Sequence, residues 1–85
     1  MSSAFFKVED VFFIMGMGTV VVGRVQGGEI TKGMKGKVGK KSTEVVSIEK
    51  EGREIPVAKE GDYCGLLLRG ISEKEVKKGE VIYFE

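Results

Sequence analysis

The chain has 85 residues, 41% of them hydrophobic, and its 14 basic and 13 acidic side chains leave a net charge of +1. That is enough chain for one small domain, too apolar to stay disordered and too near neutral for wholesale capture of a polyanion, although a local basic patch stays open. With no His and one Cys, the sequence excludes a Ser-His-Asp or Cys-His catalytic set, a zinc centre and an internal disulfide.

The first run, over residues 5–15, is aromatic and branched and carries a polar break at Glu9-Asp10. Gly16-Met17-Gly18 turns the chain into Thr19-Val20-Val21-Val22-Gly23-Arg24-Val25, a strand by its β-branched residues. Gly27-Gly28 is a tight turn. Short extended pieces follow around Glu29-Ile30 and Lys35-Gly36-Lys37-Val38. Longer ones are predicted over 43–49 and, beyond a turn at Glu51-Gly52, over 53–57. Pro56, the only proline, cannot donate to a ladder, so that last piece belongs at an edge or a strand end. Gly61-Asp62 leads into a strand over 63–69, and residues 80–84 close the chain. Between them Ser72-Glu73-Lys74-Glu75 forms a capping box, with Ile71 and Val76 at staple positions; it predicts the one helical turn. Short strands bounded by glycine turns, without repeat or linker, predict a single all-β domain over 1–85.

Lys and Glu dominate the charged residues, Asn is absent and Gln26 is the only Gln, the composition of a heat-adapted protein. The lone Cys64 fits a reducing, cytoplasmic setting and is expected to be a small buried apolar residue. The start, Met1-Ser2-Ser3-Ala4-Phe5-Phe6-Lys7, lacks the basic-then-apolar pattern of a secretion signal, and no apolar stretch is long enough for a membrane span. No membrane partner is expected. The initial Met and the stop at the last strand favour a free-standing chain over a piece of a larger protein.

Catalytic motifs are missing. Gly36-Lys37-Val38-Gly39-Lys40-Lys41-Ser42 has the wrong spacing for a phosphate-binding loop, and Gly16-Met17-Gly18 precedes a strand instead of opening a helix. Glu9-Asp10 is the only adjacent carboxylate pair, and neighbours in a regular strand point to opposite faces, away from a shared acid/base task. No enzymatic activity, metal or cofactor is expected.

The ordered set of motifs resembles the second domain of elongation factor Tu and its relatives. The run from Val8-Glu9-Asp10-Val11-Phe12 through Ile14, Gly16, Gly18-Thr19-Val20 and Gly23-Arg24-Val25 is similar to that family's V-x-D-V-F-x-I-x-G-x-G-T-V-x-x-G-R-V. Gly28-Glu29-Ile30-Thr31-Lys32-Gly33, then Gly61-Asp62 with Gly65-Leu66-Leu67-Leu68-Arg69-Gly70-Ile71, then Lys78-Gly79-Glu80-Val81-Ile82, follow in the family's order. The resemblance implies a closed antiparallel Greek-key barrel of about six strands, and a non-enzymatic module that contacts RNA, either a transfer RNA 3′ end or ribosomal RNA. The alternative is a protein-interaction barrel that has lost RNA binding, with a separate GTPase or a ribosomal protein as its partner.

Carried over position by position, the resemblance implies a terminal-adenosine pocket at Ile14, Val20, Leu67 and Glu49. It implies an aminoacyl region at Glu9, Asp10 and Phe12, and a 5′-phosphate contact at Lys78. Two positions depart: Tyr63 stands where the family has an Asn facing the aminoacyl group, and Val22 where it has a Thr. By residue type alone, Ile14, Val20 and Leu67 would be barrel core and Glu49 a solvated charge. Arg69 would contact RNA, pair with an acid such as Asp62, or cover the core with its stem. Lys32, Lys35, Lys37, Lys40 and Lys41 form a run without an acid, read either as phosphate contacts or as solvated gatekeepers.

Overall fold

Residues 3–85 are described by a computed structural model. Among these residues nine strands follow one another: β1 (Ala4–Ile14), β2 (Gly18–Gly27), β3 (Glu29–Thr31), β4 (Lys35–Val38), β5 (Lys41–Lys50), β6 (Arg53–Ile55), β7 (Val57–Lys59), β8 (Tyr63–Arg69) and β9 (Val81–Phe84). The main sheet runs β4-β9-β1-β2-β8-β5, and β4 pairs back onto β5, which closes an antiparallel barrel of six strands. β6 hangs on β5 as an appended edge, and β3 pairs with β7 in a separate ribbon. The expected fold class is therefore observed.

The order follows from local hairpins joined by late strands. β1 and β2 form a hairpin whose tip is Met15-Gly16-Met17, with the Met17 N–H donating to Ile14 O at 2.9 Å. β4 and β5 form another. β8 then fills the gap between β2 and β5, and β9 the gap between β1 and β4, so no barrel edge is left open to pair with another chain. Pro56 acts as expected, with one refinement. The single piece predicted over 53–57 is two strands in different sheets, because Pro56 has no N–H to continue either ladder.

Phe6, Val21, Ile48, Leu66, Ile82 and Phe84 fill the barrel and are all almost fully buried. Each such side chain contributes about 1.5–3 kcal/mol on burial. The capping-box segment forms a short 3-10 helix over Glu73–Glu75. The Ser72 N–H donates to Glu75 Oε1 at 2.7 Å, while Ile71 and Val76 are buried beside it and the Thr19 hydroxyl donates to Ile71 O at 2.9 Å. No helix among the described residues is long and apolar enough to cross a membrane.

The turn into β8 is pinned by Asp62. Its carboxylate accepts from Lys50 Nζ and from the Lys59 N–H, each at 2.8 Å. The alternative Asp62–Arg69 pair does not form: the two residues stand at opposite ends of β8, a separation of about 20 Å at strand rise. Arg69 instead lies opposite Glu44 of β5. The Lys50 hydrogen bond, seconded by the Lys59 N–H, holds the Asp62 carboxyl below its ordinary range, and Asp62 raises Lys50 in turn. A lowered carboxylate pKa stabilises the fold above its unfolded value, near pH 4, and that contribution is lost as pH falls through the folded value. Asp62→Asn should therefore be less stable than the parent at neutral pH, and the two melting temperatures should converge on acidification below about pH 4. Added salt should narrow the neutral-pH gap, since the pair is partly solvated. A gap that stays constant from neutral to acid pH would contradict this assignment.

Candidate functional site

Two β-bulges decide which side chains reach the outer wall. In β1, Val8 pairs with Gly23 but Asp10 with Val22, so Glu9 is an extra residue. In β5, Val45 pairs with Leu68 but Ser47 with Leu67, so Val46 is extra. An unpaired residue shifts the two-residue alternation of side chains by one. Before its bulge β1 buries Ala4, Phe6 and Val8; beyond it the even-numbered Phe12 and Ile14 are exposed. β5 buries Thr43 and Val45 before its bulge and Ile48 after it, which turns Ser47 and Glu49 outward. The bulge also means that Glu9 and Asp10 are not simple neighbours on opposite faces, as regular alternation would have made them.

The outward positions converge. Ile14, Val20, Leu67 and Glu49 come from β1, β2, β8 and β5 and line one cavity of about 330 Å³. Ile14, Val20 and Leu67 are thus outside the core, contrary to what residue type alone suggests. The register explains it: Val20 faces Leu67 across β2–β8 and Leu67 faces Ser47 across β8–β5, all on the outer side. Gly65 lies beside them, and a Cβ there would meet Val20 Cγ1 at 3.5 Å, Val22 Cγ2 at 3.8 Å and Val21 O at 3.9 Å, all ordinary contacts.

Both departing positions, Val22 and Tyr63, line this cavity too. The Arg24 guanidinium stands 5.4 Å from the centre of the Tyr63 ring while Arg24 Nη1 donates to Gly61 O at 2.9 Å, which fixes the aromatic lip. Cys64 is buried, as expected, and burial pushes its thiol up to about 11, so it is protonated and unreactive at neutral pH.

The remaining candidates stand apart from the cavity. Asp10 and Phe12 occupy the outer face of β1 opposite Val22 and Val20, adjoining the cavity without lining it. Lys78 Nζ lies 3.4 Å from Asp10 Oδ1, and the Gly79 N–H donates to Val8 O at 2.7 Å, so the loop before β9 is docked on the bulge of β1. Glu9 is exposed at that bulge and Arg69 at the far end of β8. The lysine run, acid-free in sequence, is divided in space. Lys32 pairs with Glu54 at 3.2 Å and Lys41 with Glu75 at 2.8 Å, whereas Lys35, Lys37 and Lys40 form no ion pair among the described residues. Lys35 and Lys37 line a second groove that shares no residue with the cavity.

Met17, Ser47, Glu51 and Gly65 also line the cavity and were not singled out from sequence. Ser47 was hidden by the bulge at Val46, since unbroken alternation from Thr43 and Val45 would have pointed it inward. Met17 and Glu51 sit in turns, where no periodicity applies.

The family model of elongation factor Tu domain 2 matches residues 18–83. Elongation factor 1-alpha of Methanoculleus marisnigri is 43% identical over 76 residues, which cover 87% of this chain and 18% of that protein. Translation elongation factor SelB from Methanococcus maripaludis, in its apo form, matches with a TM-score of 0.85 and 30% identity over 96% of this chain and 18% of that one. The chain therefore spans about 18% of the length of each of these relatives.

Proposed function

The chain belongs to the elongation factor Tu domain 2 family, and on that footing we propose that it is a non-enzymatic binding module whose outer cavity receives the terminal nucleoside of an RNA, a transfer RNA 3′ end or a ribosomal RNA segment. One observation carries the reading: three aliphatic side chains and one carboxylate, from four strands, line a single cavity of about 330 Å³. That volume suits a small-molecule site of nucleoside size. Ile14, Val20 and Leu67 offer apolar surface to the faces of a base, and Glu49 can accept from ribose hydroxyls. Lys78 is exposed beside Asp10 on the face that adjoins the cavity, where exchanging its Asp10 partner for a 5′ phosphate replaces one partly solvated ion pair by another. Tyr63 and Val22 remove the small polar groups that would read an aminoacyl ester, so the nucleoside is recognised whether or not the RNA is charged. Such a module works in the cytoplasm.

Binding by the 85-residue chain alone should be weak, because one small patch offers few contacts. The test is a titration with fluorescent RNA ending in C-C-A, charged and uncharged, at several salt concentrations. The parent should prefer a terminal adenosine and bind both forms within about twofold, a difference of roughly 0.4 kcal/mol. Leu67→Glu, an outward substitution, should abolish the adenosine preference while the melt shows a folded barrel. Absence of binding even at low salt would sink the RNA reading and favour a protein-interaction barrel, with a separate GTPase or ribosomal protein as partner. A strong preference for the charged form would overturn the reading of Tyr63 and Val22.

A further inference from the structure

We infer that the groove between β4 and β9 is a second RNA site, one that takes a single-stranded segment by stacking bases on Tyr83 and Phe5 and seating the phosphates on Lys35 and Lys37. The four side chains share a wall because of the register. Gly36 lies opposite Phe84, so its neighbours Lys35 and Lys37 face outward beside Tyr83, while Tyr83 lies opposite Phe5. Gly36 is what lets the strands meet so closely: a Cβ there would come within 2.7 Å of Tyr83 O and 2.8 Å of Phe84 Cδ1. The Lys35 N–H donates to Glu85 O and the Glu85 N–H to Lys35 O, both at 2.8 Å, which fixes the two backbones.

Three features of this face suit a ligand, beyond the cross-strand packing of Phe5 on Tyr83. Tyr83 and Phe5 leave 45% and 44% of their surface in water although they could have been polar on an outer wall. Their ring centres are 5.2 Å apart at an interplanar angle of 55°, a tilted pair that presents two adjoining aromatic surfaces. Lys35 and Lys37 carry charges that no acid within 4 Å neutralises among the described residues, unlike Lys32, Lys41, Lys50 and Lys78. Lys7, two residues along β1 from Phe5, extends the positive face and is likewise without an ion pair among those residues. Unneutralised cations beside exposed rings are what a flexible polyanion with stackable bases requires. Among the described residues Glu85 is the one acid lining the groove, and Glu44 lies opposite Lys35 across β4–β5. Glu85 repels phosphate but can accept from a ribose 2′-hydroxyl, which favours RNA over DNA.

The site is independent of the nucleoside cavity, with which it shares no lining residue. The probe is therefore a fluorescent oligouridylate whose 3′ end is blocked by phosphate, with the matching oligothymidylate as comparison. The parent chain should bind the oligouridylate at low salt and bind the DNA more weakly. Lys35→Gln with Lys37→Gln should reduce the log–log salt slope by about 1.4, at roughly 0.7 per single-strand phosphate contact. Tyr83→Leu, which keeps an apolar side chain on the wall, should weaken binding about five- to tenfold, the low end for one stacked base. Leu67→Glu should leave oligouridylate binding unchanged. The inference is overturned if the parent does not bind the blocked oligomer, or if the lysine and Tyr83 variants bind as the parent does. It is also overturned if Leu67→Glu removes this binding, since all RNA would then pass through the cavity. Equal affinity for RNA and DNA would overturn the role given to Glu85 and the choice of RNA. Failure of the adenosine preference with the oligouridylate result intact would sink the cavity reading alone.

Discussion

Replacing Phe84 with Ala should cost about 3–5 kcal/mol, the range for emptying a fully buried aromatic site. Phe84 is wholly buried and, with Phe6, is among the largest side chains in the core. It also sits on the seam of the barrel. β9 meets β4 at the single paired position Gly36–Phe84, and the Gly36 backbone packs directly against the ring. The cavity left by Ala would therefore open between β9 and β4, beside the two Lys35–Glu85 backbone hydrogen bonds that join them. A small domain has about 5–15 kcal/mol of stability in all, so this one change consumes a large share of it. Deleting the residues beyond Val81 should go further, because it removes Ile82 as well and leaves β1 and β4 as open edges. Urea denaturation measures the effect. Tyr83→Leu on the same strand is the control, and should cost well under half as much because Tyr83 is only half buried. Equal losses for the two variants would mean that the seam is not what Phe84 holds.

Gly23→Ala should be nearly as damaging, at about 3 kcal/mol, the upper end for overpacking. Gly23 is not there for conformational freedom, since its φ is ordinary. It is there for space. A Cβ would lie 1.9 Å from Lys7 O, 2.9 Å from Lys7 C and 3.2 Å from the Glu9 nitrogen, all backbone atoms that no rotamer change can clear. The close approach occurs where β1 bulges at Glu9, so relief must come from moving the bulge itself. Because that bulge turns Phe12 and Ile14 outward, the same substitution should also disturb the wall of the cavity and weaken the proposed recognition of a terminal adenosine. Thermal melts report the first effect, and backbone NMR shifts over residues 7–14 the second. Gly65→Ala is the informative comparison. Its added Cβ would make only ordinary contacts, so the barrel should keep its stability while the cavity becomes shallower. If Gly23→Ala is tolerated as well as Gly65→Ala, the tight crossing of β1 over β2 is wrong.

Much of this was legible in the sequence, for reasons that are local. Glycine turns and β-branched runs placed the strands, and Tyr63–Arg69 was located to the residue. Pro56 marked a strand end because a missing N–H cannot be compensated, although the second strand beyond it, β7, was not predicted. The Ser72–Glu75 box marked the one helical turn because its hydrogen bonds lie within four residues. The family motifs supplied the closed six-stranded barrel, which no count of short strands could have distinguished from a sandwich.

The tertiary structure decided what depends on pairing between distant segments. Alternation within one strand cannot register an extra residue, so the bulges at Glu9 and Val46 were invisible, and with them the outward turn of Ile14, Ser47 and Glu49. Ion pairs were equally out of reach. Asp62 chose Lys50 over Arg69 because a seven-residue strand separates it from the latter, and Glu54 and Glu75 reached into a lysine run that contains no acid of its own. The meeting of Tyr83 with Phe5, 78 positions apart in the chain, exists only because β9 returns to lie beside β1. Residue types and turn chemistry act over a few bonds and are written in the sequence; which outward side chains become neighbours is settled by strand register, which only the closed barrel fixes.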